Sequence, residues 1–224
     1  MVMFRDREHA GELLGQLVNH RIDDVQNAIV LALPRGGVPV GAKVAQRLDL
    51  PLDVYLVRKL GVPGHREYAM GAIASGGVQV LNTSAIERLR ITPKAVAETV
   101  QRELAELERR EKAYRIGRPP LDLVGMAVIL VDDGIATGST MRAAIEAIRI
   151  NKARTTTVAV PVAPRATVSA IERTVDRMVV LETPDPFYAV GSHYVDFTQT
   201  SEDEVRQLLA EAAQDNDLLR NTDN

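Results

Sequence analysis

The segment Val128–Thr140, with the sequence VILVDDGIATGST, joins a strand, two acids and a helix start. Its first four residues are apolar and predict a strand, which the adjacent carboxylates Asp132 and Asp133 follow directly. Glycines and hydroxyl side chains come next, and a helix begins there. The free backbone N–H groups at a helix start, together with hydroxyl groups, suit a phosphate monoester. Two carboxylates beside such a loop suit a vicinal diol or a divalent cation. A phosphate and a diol on one short segment describe a ribose 5-phosphate.

Two common phosphate loops do not fit this segment. A P-loop requires lysine after its last glycine, whereas Gly138 is followed by Ser139 and Thr140. A dinucleotide fingerprint spaces its glycines differently and does not begin with two acids. The segment therefore argues against a mononucleotide kinase and against an NAD enzyme.

Strands and helices alternate along the rest of the chain. We predict strands at the apolar or β-branched runs 28–33, 52–57, 78–81, 127–131, 155–162 and 177–181. We predict helices at 8–20, 38–48, 92–115, 140–150, 164–175 and 201–219. The glycine-rich residues 61–77 are predicted to form a loop with at most short strand pieces. The alternation predicts an α/β fold with a mainly parallel central sheet flanked by helices, and a ligand beyond the carboxyl ends of its strands.

Composition narrows the class of protein. The 224 residues are 46% apolar and 25% charged, so we expect one folded domain over 1–224 rather than a disordered chain. The sequence has no cysteine, which excludes a disulfide framework, a thiolate nucleophile and a Cys-built zinc site. The net charge is −3 and no apolar run is long enough to span a bilayer. We therefore expect a cytoplasmic protein that binds neither nucleic acid nor a membrane.

Val128–Thr140 resembles the motif with which type I phosphoribosyltransferases bind 5-phosphoribosyl 1-diphosphate (PRPP). That motif is a hydrophobic strand, two acids, a short variable stretch, then Thr-Gly and a hydroxyl residue. The run Arg58–Gly61, Glu67 and Gly71–Ala74 is similar to a bacterial subfamily of these proteins. The resemblance implies the type I phosphoribosyltransferase fold with a small C-terminal hood. It also implies PRPP and a small-molecule acceptor as substrates, with Mg²⁺ as cofactor, and it leaves a homodimer open.

The resemblance assigns roles at two further strand ends. The family places its pyrophosphate loop, often with a non-proline cis peptide, at Pro34–Gly37, and basic residues near the pyrophosphate at Arg58-Lys59. It places its flexible loop at 61–77, where His65 and Arg66 either face solvent or add charge in the closed state.

Three sets of site residues follow from the resemblance. The implied PRPP-binding residues are Arg35, Gly36, Gly37, Arg58, Lys59, Asp132, Asp133, Gly134, Ala136, Thr137, Gly138, Ser139 and Thr140. The implied catalytic residues are Lys59, Asp132 and Asp133, and the two aspartates are also the implied Mg²⁺ ligands, directly or through water. The segment 183–200 is similar to the hood of hypoxanthine-guanine phosphoribosyltransferases, which implies Phe187, Val190 and Asp196 as acceptor-base residues. Plain packing of Phe187, Tyr188 and Tyr194 is the alternative.

One residue departs from the 6-oxopurine enzymes. These carry aspartate just before the Thr-Gly of the motif, where it acts on a purine ring nitrogen. This chain has Ala136, whose methyl group can neither accept nor donate a proton. Adenine-type enzymes also carry alanine there, so the hood and the loop point to different acceptors and the acceptor stays open.

Two functions are consistent with these observations. The first is Mg²⁺-dependent transfer of the phosphoribosyl group from PRPP to a nitrogen acceptor, with a nucleobase expected, as in nucleotide salvage. The alternative is a non-catalytic regulator of the same fold that binds PRPP or a nucleotide. The Arg58-Lys59 pair and the full-length loop at 61–77 favour the enzyme.

Overall fold

Two β-sheets organise the part of the chain that the computed structural model describes, residues 3–22, 25–63 and 65–222. Within it the strands are β1 (Ala28–Ala32), β2 (Leu52–Val54), β3 (Val57–Val62), β4 (His65–Ala74), β5 (Val78–Leu81), β6 (Ala127–Val131), β7 (Thr155–Val162) and β8 (Arg177–Glu182). The first sheet is parallel with the order β2-β1-β6-β7-β8. Every residue of β1 and β6 is buried, as expected for continuous apolar runs that are covered on both faces.

Helices cover both faces of the parallel sheet. They are α1 (Arg7–Arg21), α2 (Gly37–Leu48), α3 (Thr83–Arg88), α4 (Pro93–Tyr114), α5 (Ser139–Ile150), α6 (Arg165–Glu172) and α7 (Glu202–Thr222). The predicted start of α4 is confirmed, since the Thr92 hydroxyl caps the helix by accepting the N–H of Ala95 at 3.2 Å. No helix among the described residues is long and apolar enough to cross a membrane.

Alternate residues of each central strand face opposite helical layers. Val30 and Ile129 belong to an apolar cluster with residues of α1, α2, α4 and α7. Leu31 and Leu130, one position further on, belong to a second cluster with α5 and α6. This alternation follows from the two-residue period of a strand. The predicted α/β fold, a mainly parallel sheet flanked by helices, is confirmed.

A second, antiparallel sheet corrects two predictions. The expected strand over 52–57 ends at Val54, and the expected loop over 61–77 is largely strand, because β4 pairs with both β3 and β5. A Cβ on Gly71 would overlap the carbonyl oxygen of Val80, so this glycine permits a close approach of two strands. Arg58-Lys59 therefore lies within β3 and does not end a strand of the parallel sheet.

The segment 183–200 lies against the residues that precede α1. It contains a cis Asp185–Pro186 peptide and a short 3₁₀ turn over Val190–His193. The N–H of Phe4 donates to the carbonyl of His193 at 2.9 Å, and the N–H of Val195 donates to the carbonyl of Phe4 at 2.8 Å. These bonds hold the start of α1 beside this segment. The assignments of one domain over 1–224 and of a hood over 183–200 remain predictions.

Candidate functional site

The carboxylates of Asp132 and Asp133 follow the carboxyl end of β6, and both residues are half-buried. Oδ1 of Asp132 accepts the backbone N–H of Asp133 at 2.9 Å, and Oδ2 of Asp133 accepts Nε–H of Arg7 at 2.8 Å. Burial raises the pKa of both carboxyl groups, and the neighbouring charge of Asp133 raises the pKa of Asp132 further. Arg7 opposes the rise in the pKa of Asp133. Two carboxylates whose ionised forms are costly here suit hydroxyl donors or a cation.

The loop Pro34–Gly37 packs directly against this pair. Its Pro34–Arg35 peptide bond is cis, and α2 begins at Gly37. A Cβ on Gly36 would overlap the carboxylate of Asp133, and a Cβ on Gly37 would lie 2.9 Å from the carbonyl oxygen of Val131. Both glycines therefore allow the backbone of this loop to approach the end of β6 closely.

The residues 134–140 form a partly exposed turn that leads into α5. Gly138 has φ 74°, in the left-handed region that favours glycine, and it is the N-cap of this helix. The hydroxyls of Thr137 and Ser139 lie 3.0 Å apart and are exposed, as are Ala136 and Thr140. Hydroxyls and unpaired N–H groups at the start of a twelve-residue helix suit a phosphate.

The predicted basic pair on β3 is divided between the two faces of its sheet. Arg58 donates from Nε to Oε2 of Glu103 on α4 at 3.0 Å. Lys59, on the opposite face of the strand, lines a cavity of about 290 Å³ together with Ser139, Thr140 and Arg142. The structure thus brings Lys59, and not Arg58, to the start of α5. The PRPP contact of Arg58 remains a prediction, and its guanidinium is bonded to Glu103 here.

The three predicted hood residues lie in different surroundings. Val190 packs against the turn after β6, since a Cβ on Gly134 would lie 2.5 Å from its Cγ1. The ring of Phe187 stacks on His193 with centroids 5.5 Å apart. The carboxylate of Asp196 accepts the hydroxyl and the N–H of Thr198 at 2.6 and 2.8 Å, which lowers its pKa. Only Val190 of the three has a described contact with the motif. The charges predicted for His65 and Arg66 belong to side chains outside the described residues.

Known proteins resemble this chain in sequence and in fold. A model of the phosphoribosyl transferase domain matches residues 7–198. The chain belongs to the phosphoribosyltransferase family. The crystal structure of TT1426 from Thermus thermophilus is similar to this chain, with 39% identity and a TM-score of 0.83 over 94% of this chain and 99% of that one. The predicted resemblance and the predicted type I phosphoribosyltransferase fold are therefore confirmed.

Two relatives from Mycobacterium tuberculosis, in strains CDC 1551 / Oshkosh and ATCC 25618 / H37Rv, are longer. Each is named "putative phosphoribosyl transferase" and is 43% identical to this chain over 215 residues. The match covers 96% of this chain and 48% of each relative. The chain thus spans about half the length of the curated relatives that it matches.

Three polar contacts at this candidate site involve residues that the sequence did not predict there. Arg7 reaches Asp133 from α1, and the Tyr194 hydroxyl donates to the carbonyl of Asp133 at 2.6 Å. Thr167 of α6, which is buried, donates its hydroxyl to the carbonyl of Ala136 at 2.8 Å. None of the three belongs to the motif, and each arrives from a distant part of the chain. No signal in the sequence singles them out.

Replacing Thr167 with valine should weaken binding of ribose 5-phosphate about fivefold, because a hydrogen bond that holds the turn contributes about 1 kcal/mol. Calorimetric titration measures this affinity. Thr174→Val is a matched control, since the Thr174 hydroxyl donates at the same 2.8 Å to the carbonyl of Ile171, at the end of α6. If both variants bind ribose 5-phosphate like the unmodified protein, Thr167 does not position the turn.

Proposed function

We propose that the protein transfers the 5-phosphoribosyl group of PRPP to a nitrogen acceptor. The bond from C1′ to the pyrophosphate oxygen breaks and its electron pair leaves with pyrophosphate. A bond from C1′ to the acceptor nitrogen forms, and the acceptor releases a proton. The observation that carries this proposal is the acidic pair at the end of β6, followed by a turn whose hydroxyl groups are exposed at the start of α5.

The chain offers a separate group of residues to each part of PRPP. Asp132 and Asp133 accept the ribose hydroxyls, because a carboxylate oxygen pairs well with an O–H donor. The turn 134–140 and the first N–H groups of α5 bind the 5-phosphate. Pro34–Gly37 and Lys59 bind the pyrophosphate. The pyrophosphate must lie beside the two aspartates, because it is attached to C1′ of the ribose that they bind.

The reaction demands stabilisation of the leaving pyrophosphate. Negative charge grows on that group as the C1′–O bond breaks, so donors already aimed at it lower the barrier. Lys59 and Arg35 supply positive charge. The backbone N–H groups of Arg35 and Gly36 supply donors, since the N–H of Gly37 is donated to the carbonyl of Leu33 at 3.0 Å. Water must also be kept from C1′, and the antiparallel sheet, whose β4 and β5 line the cavity with Lys59, can cover that side of the site.

The donor set at the end of β6 fits Mg²⁺. Carboxylate oxygens are the hard ligands that this ion prefers, and Mg²⁺ bound to a phosphate substrate uses one or two carboxylates plus substrate oxygens and water. Among the described residues no group of three or more His, Cys, Asp or Glu side chains could hold a metal ion. Asp132 and Asp133 would therefore share the ion with PRPP. When bound, Mg²⁺ would neutralise charge on the pyrophosphate.

A screen for pyrophosphate release tests the proposal. The protein is incubated with PRPP, Mg²⁺ and each member of a panel of nucleobases, with the acceptor omitted as control. We expect release above the acceptor-free control with at least one base. Tight binding of PRPP with no turnover of any base would favour a regulator of the same fold, and no binding of PRPP would overturn the proposal.

Ala136→Asp should raise the kcat/KM for hypoxanthine or guanine relative to that of the unmodified protein. Ala136 is exposed in the turn and offers no proton-transfer group, and a positioned general acid or base contributes about a hundredfold or more. We expect a gain of about tenfold, because a carboxylate at this exposed position is less well positioned than one held by neighbouring groups. Steady-state kinetics with hypoxanthine, guanine, adenine and xanthine in both proteins gives the comparison. Efficient turnover of hypoxanthine or guanine by the unmodified protein would contradict the assignment of Ala136.

A further inference from the structure

Arg7 is an almost buried cation at the junction of three segments of the site. Its side chain, in the first turn of α1, is 11% exposed. Nε donates to Oδ2 of Asp133 at 2.8 Å, and Nη1 donates to the carbonyl of Thr198 at 2.7 Å. The guanidinium carbon lies 3.9 Å from the ring centroid of Phe197. One side chain thus joins α1, the acidic pair and the segment 183–200.

These bonds determine how Asp133 faces the site. Arg7 donates to Oδ2 of Asp133, and the Tyr194 hydroxyl donates to the main-chain carbonyl of Asp133 at 2.6 Å. The N–H of Asp133 donates to Oδ1 of Asp132 at 2.9 Å. Among the described hydrogen bonds, each carboxylate therefore uses one oxygen within the protein. Among the described residues, Oδ2 of Asp132 and Oδ1 of Asp133 accept no described hydrogen bond from another residue, and one such oxygen from each residue matches a pair of adjacent hydroxyls.

The neighbouring loop leaves Asp133 little freedom to turn. A Cβ on Gly36 would overlap the Asp133 carboxylate and would lie 3.1 Å from Nε of Arg7. The carboxylate is therefore confined between the backbone of the Pro34–Gly37 loop and the guanidinium. Without Arg7, the Asp133 carboxylate would lose the one side chain that the structure describes as donating to it, and with it the compensating positive charge.

We propose that Arg7 is a positioning residue, which orients the Asp133 carboxylate so that its second oxygen accepts a ribose hydroxyl. The inference rests on the proposed function and adds a residue from α1 to it. Arginine suits this role because its planar fork donates to two acceptors at once while its face stacks on an aromatic ring. A lysine at this position would keep the charge and could not make all three contacts.

Two ligands separate this role from a general structural one. Ribose 5-phosphate carries the phosphate and the vicinal diol, whereas butyl phosphate carries a phosphate on a carbon chain without hydroxyls. The ratio of their dissociation constants, measured by NMR titration, reports the contribution of the diol. We expect the unmodified protein to bind ribose 5-phosphate at least about tenfold more tightly than butyl phosphate, since hydrogen bonds to charged groups are stronger than those between neutral groups.

Arg7→Met should reduce that preference to within about threefold and leave the affinity for butyl phosphate unchanged, and Arg7→Lys should give an intermediate preference. In an Asp133→Asn background, Arg7→Met should have almost no further effect, because Arg7 acts through Asp133. Arg5→Met is the matched control, since Arg5 is exposed on the same segment. If Arg7→Met fails to fold, Arg7→Lys still decides, because a full preference in that variant would overturn the proposal.

Other outcomes would overturn either the role of Arg7 alone or the proposed ribose contact as well. If Arg7→Met lost affinity equally for both ligands, or lost as much affinity in the Asp133→Asn background as alone, Arg7 would have a purely structural role. Either result would overturn the inference while the proposed function stands. No preference for ribose 5-phosphate in the unmodified protein would overturn the assignment of the acidic pair to the ribose, and the inference with it.

Discussion

Replacing both Asp132 and Asp133 with asparagine is expected to weaken PRPP binding by at least about a hundredfold. In the proposed assignment each carboxylate presents one oxygen to the ribose. A hydrogen bond to a charged group contributes about 1.5–3 kcal/mol, so two such bonds amount to about 3–6 kcal/mol. An amide carbonyl can still accept a hydroxyl, which places the loss at the lower end of that range. Calorimetry with PRPP and Mg²⁺ measures the affinity. A value within about threefold of that of the unmodified protein would contradict the diol assignment.

The single variant Asp132→Asn separates function from folding. Burial and the charge of Asp133 raise the pKa of Asp132 in the folded protein, so its ionised form lowers the free energy of unfolding near neutral pH. This cost is present above the raised pKa, disappears as the pH falls through it, and is absent below the pKa of the unfolded chain. Asp132→Asn should therefore be more stable than the unmodified protein at neutral pH, and the gain should shrink as the pH falls.

Urea unfolding of both proteins in EDTA, from about pH 8 to about pH 4, gives this comparison. A variant that binds PRPP poorly and yet unfolds at higher urea has lost a ligand contact and kept its fold. Lower stability of Asp132→Asn at every pH would show that the charge of Asp132 contributes to folding, and that loss of PRPP binding in the double variant cannot be assigned to the ribose contact alone.

The parallel sheet could be predicted because its signals are local. β1 and β6 are uninterrupted apolar runs, which is what burial on both faces requires. The start of α7 is signalled by Ser201 and Glu204, and the structure has both reciprocal bonds of this capping box, at 3.1 and 3.4 Å. Such signals lie within a few residues of the element that they predict.

The antiparallel sheet was missed because its signal is not local. Gly71 favours a turn when only its neighbours in sequence are considered. Its actual role depends on Val80, whose carbonyl approaches so closely that a side chain would not fit. Glycine within a strand has this meaning only once the partner strand is known. The ten residues of β4 were accordingly predicted as loop.

The site divides in the same way. Asp132, Asp133 and the turn to Thr140 are consecutive, so their chemistry is visible in the sequence. Arg7 and Asp133 are separated by 126 residues, Tyr194 and Asp133 by 61, and Thr167 and Ala136 by 31. Only the fold brings these pairs together. The residues proposed to contact the ligand are thus visible in the sequence, whereas the residues that contact them from distant parts of the chain are not.

Lys59→Ala is expected to lower kcat about a hundredfold while weakening ribose 5-phosphate binding only about twofold. The lysine lines the cavity at the start of α5 and is proposed to bind pyrophosphate, whose charge increases as it leaves. Removing one group aimed at a developing charge typically costs about a hundredfold or more in kcat. Ribose 5-phosphate has no pyrophosphate, so its affinity should change little. Steady-state kinetics with PRPP and calorimetry with ribose 5-phosphate measure the two quantities.

Two further variants make the Lys59 result specific. Lys94→Ala removes an equal charge from an 86% exposed side chain on α4 and should leave kcat unchanged. Arg58→Ala should act differently from Lys59→Ala, because the guanidinium of Arg58 is bonded to Glu103. Its loss should lower the melting temperature and change kcat little. Equal losses in kcat and in ribose 5-phosphate affinity for Lys59→Ala would place the lysine at the phosphate turn. A larger fall in kcat for Arg58→Ala than for Lys59→Ala would mean that Arg58 exchanges Glu103 for pyrophosphate when PRPP binds, and the assignment of Lys59 as the main pyrophosphate ligand would then be wrong.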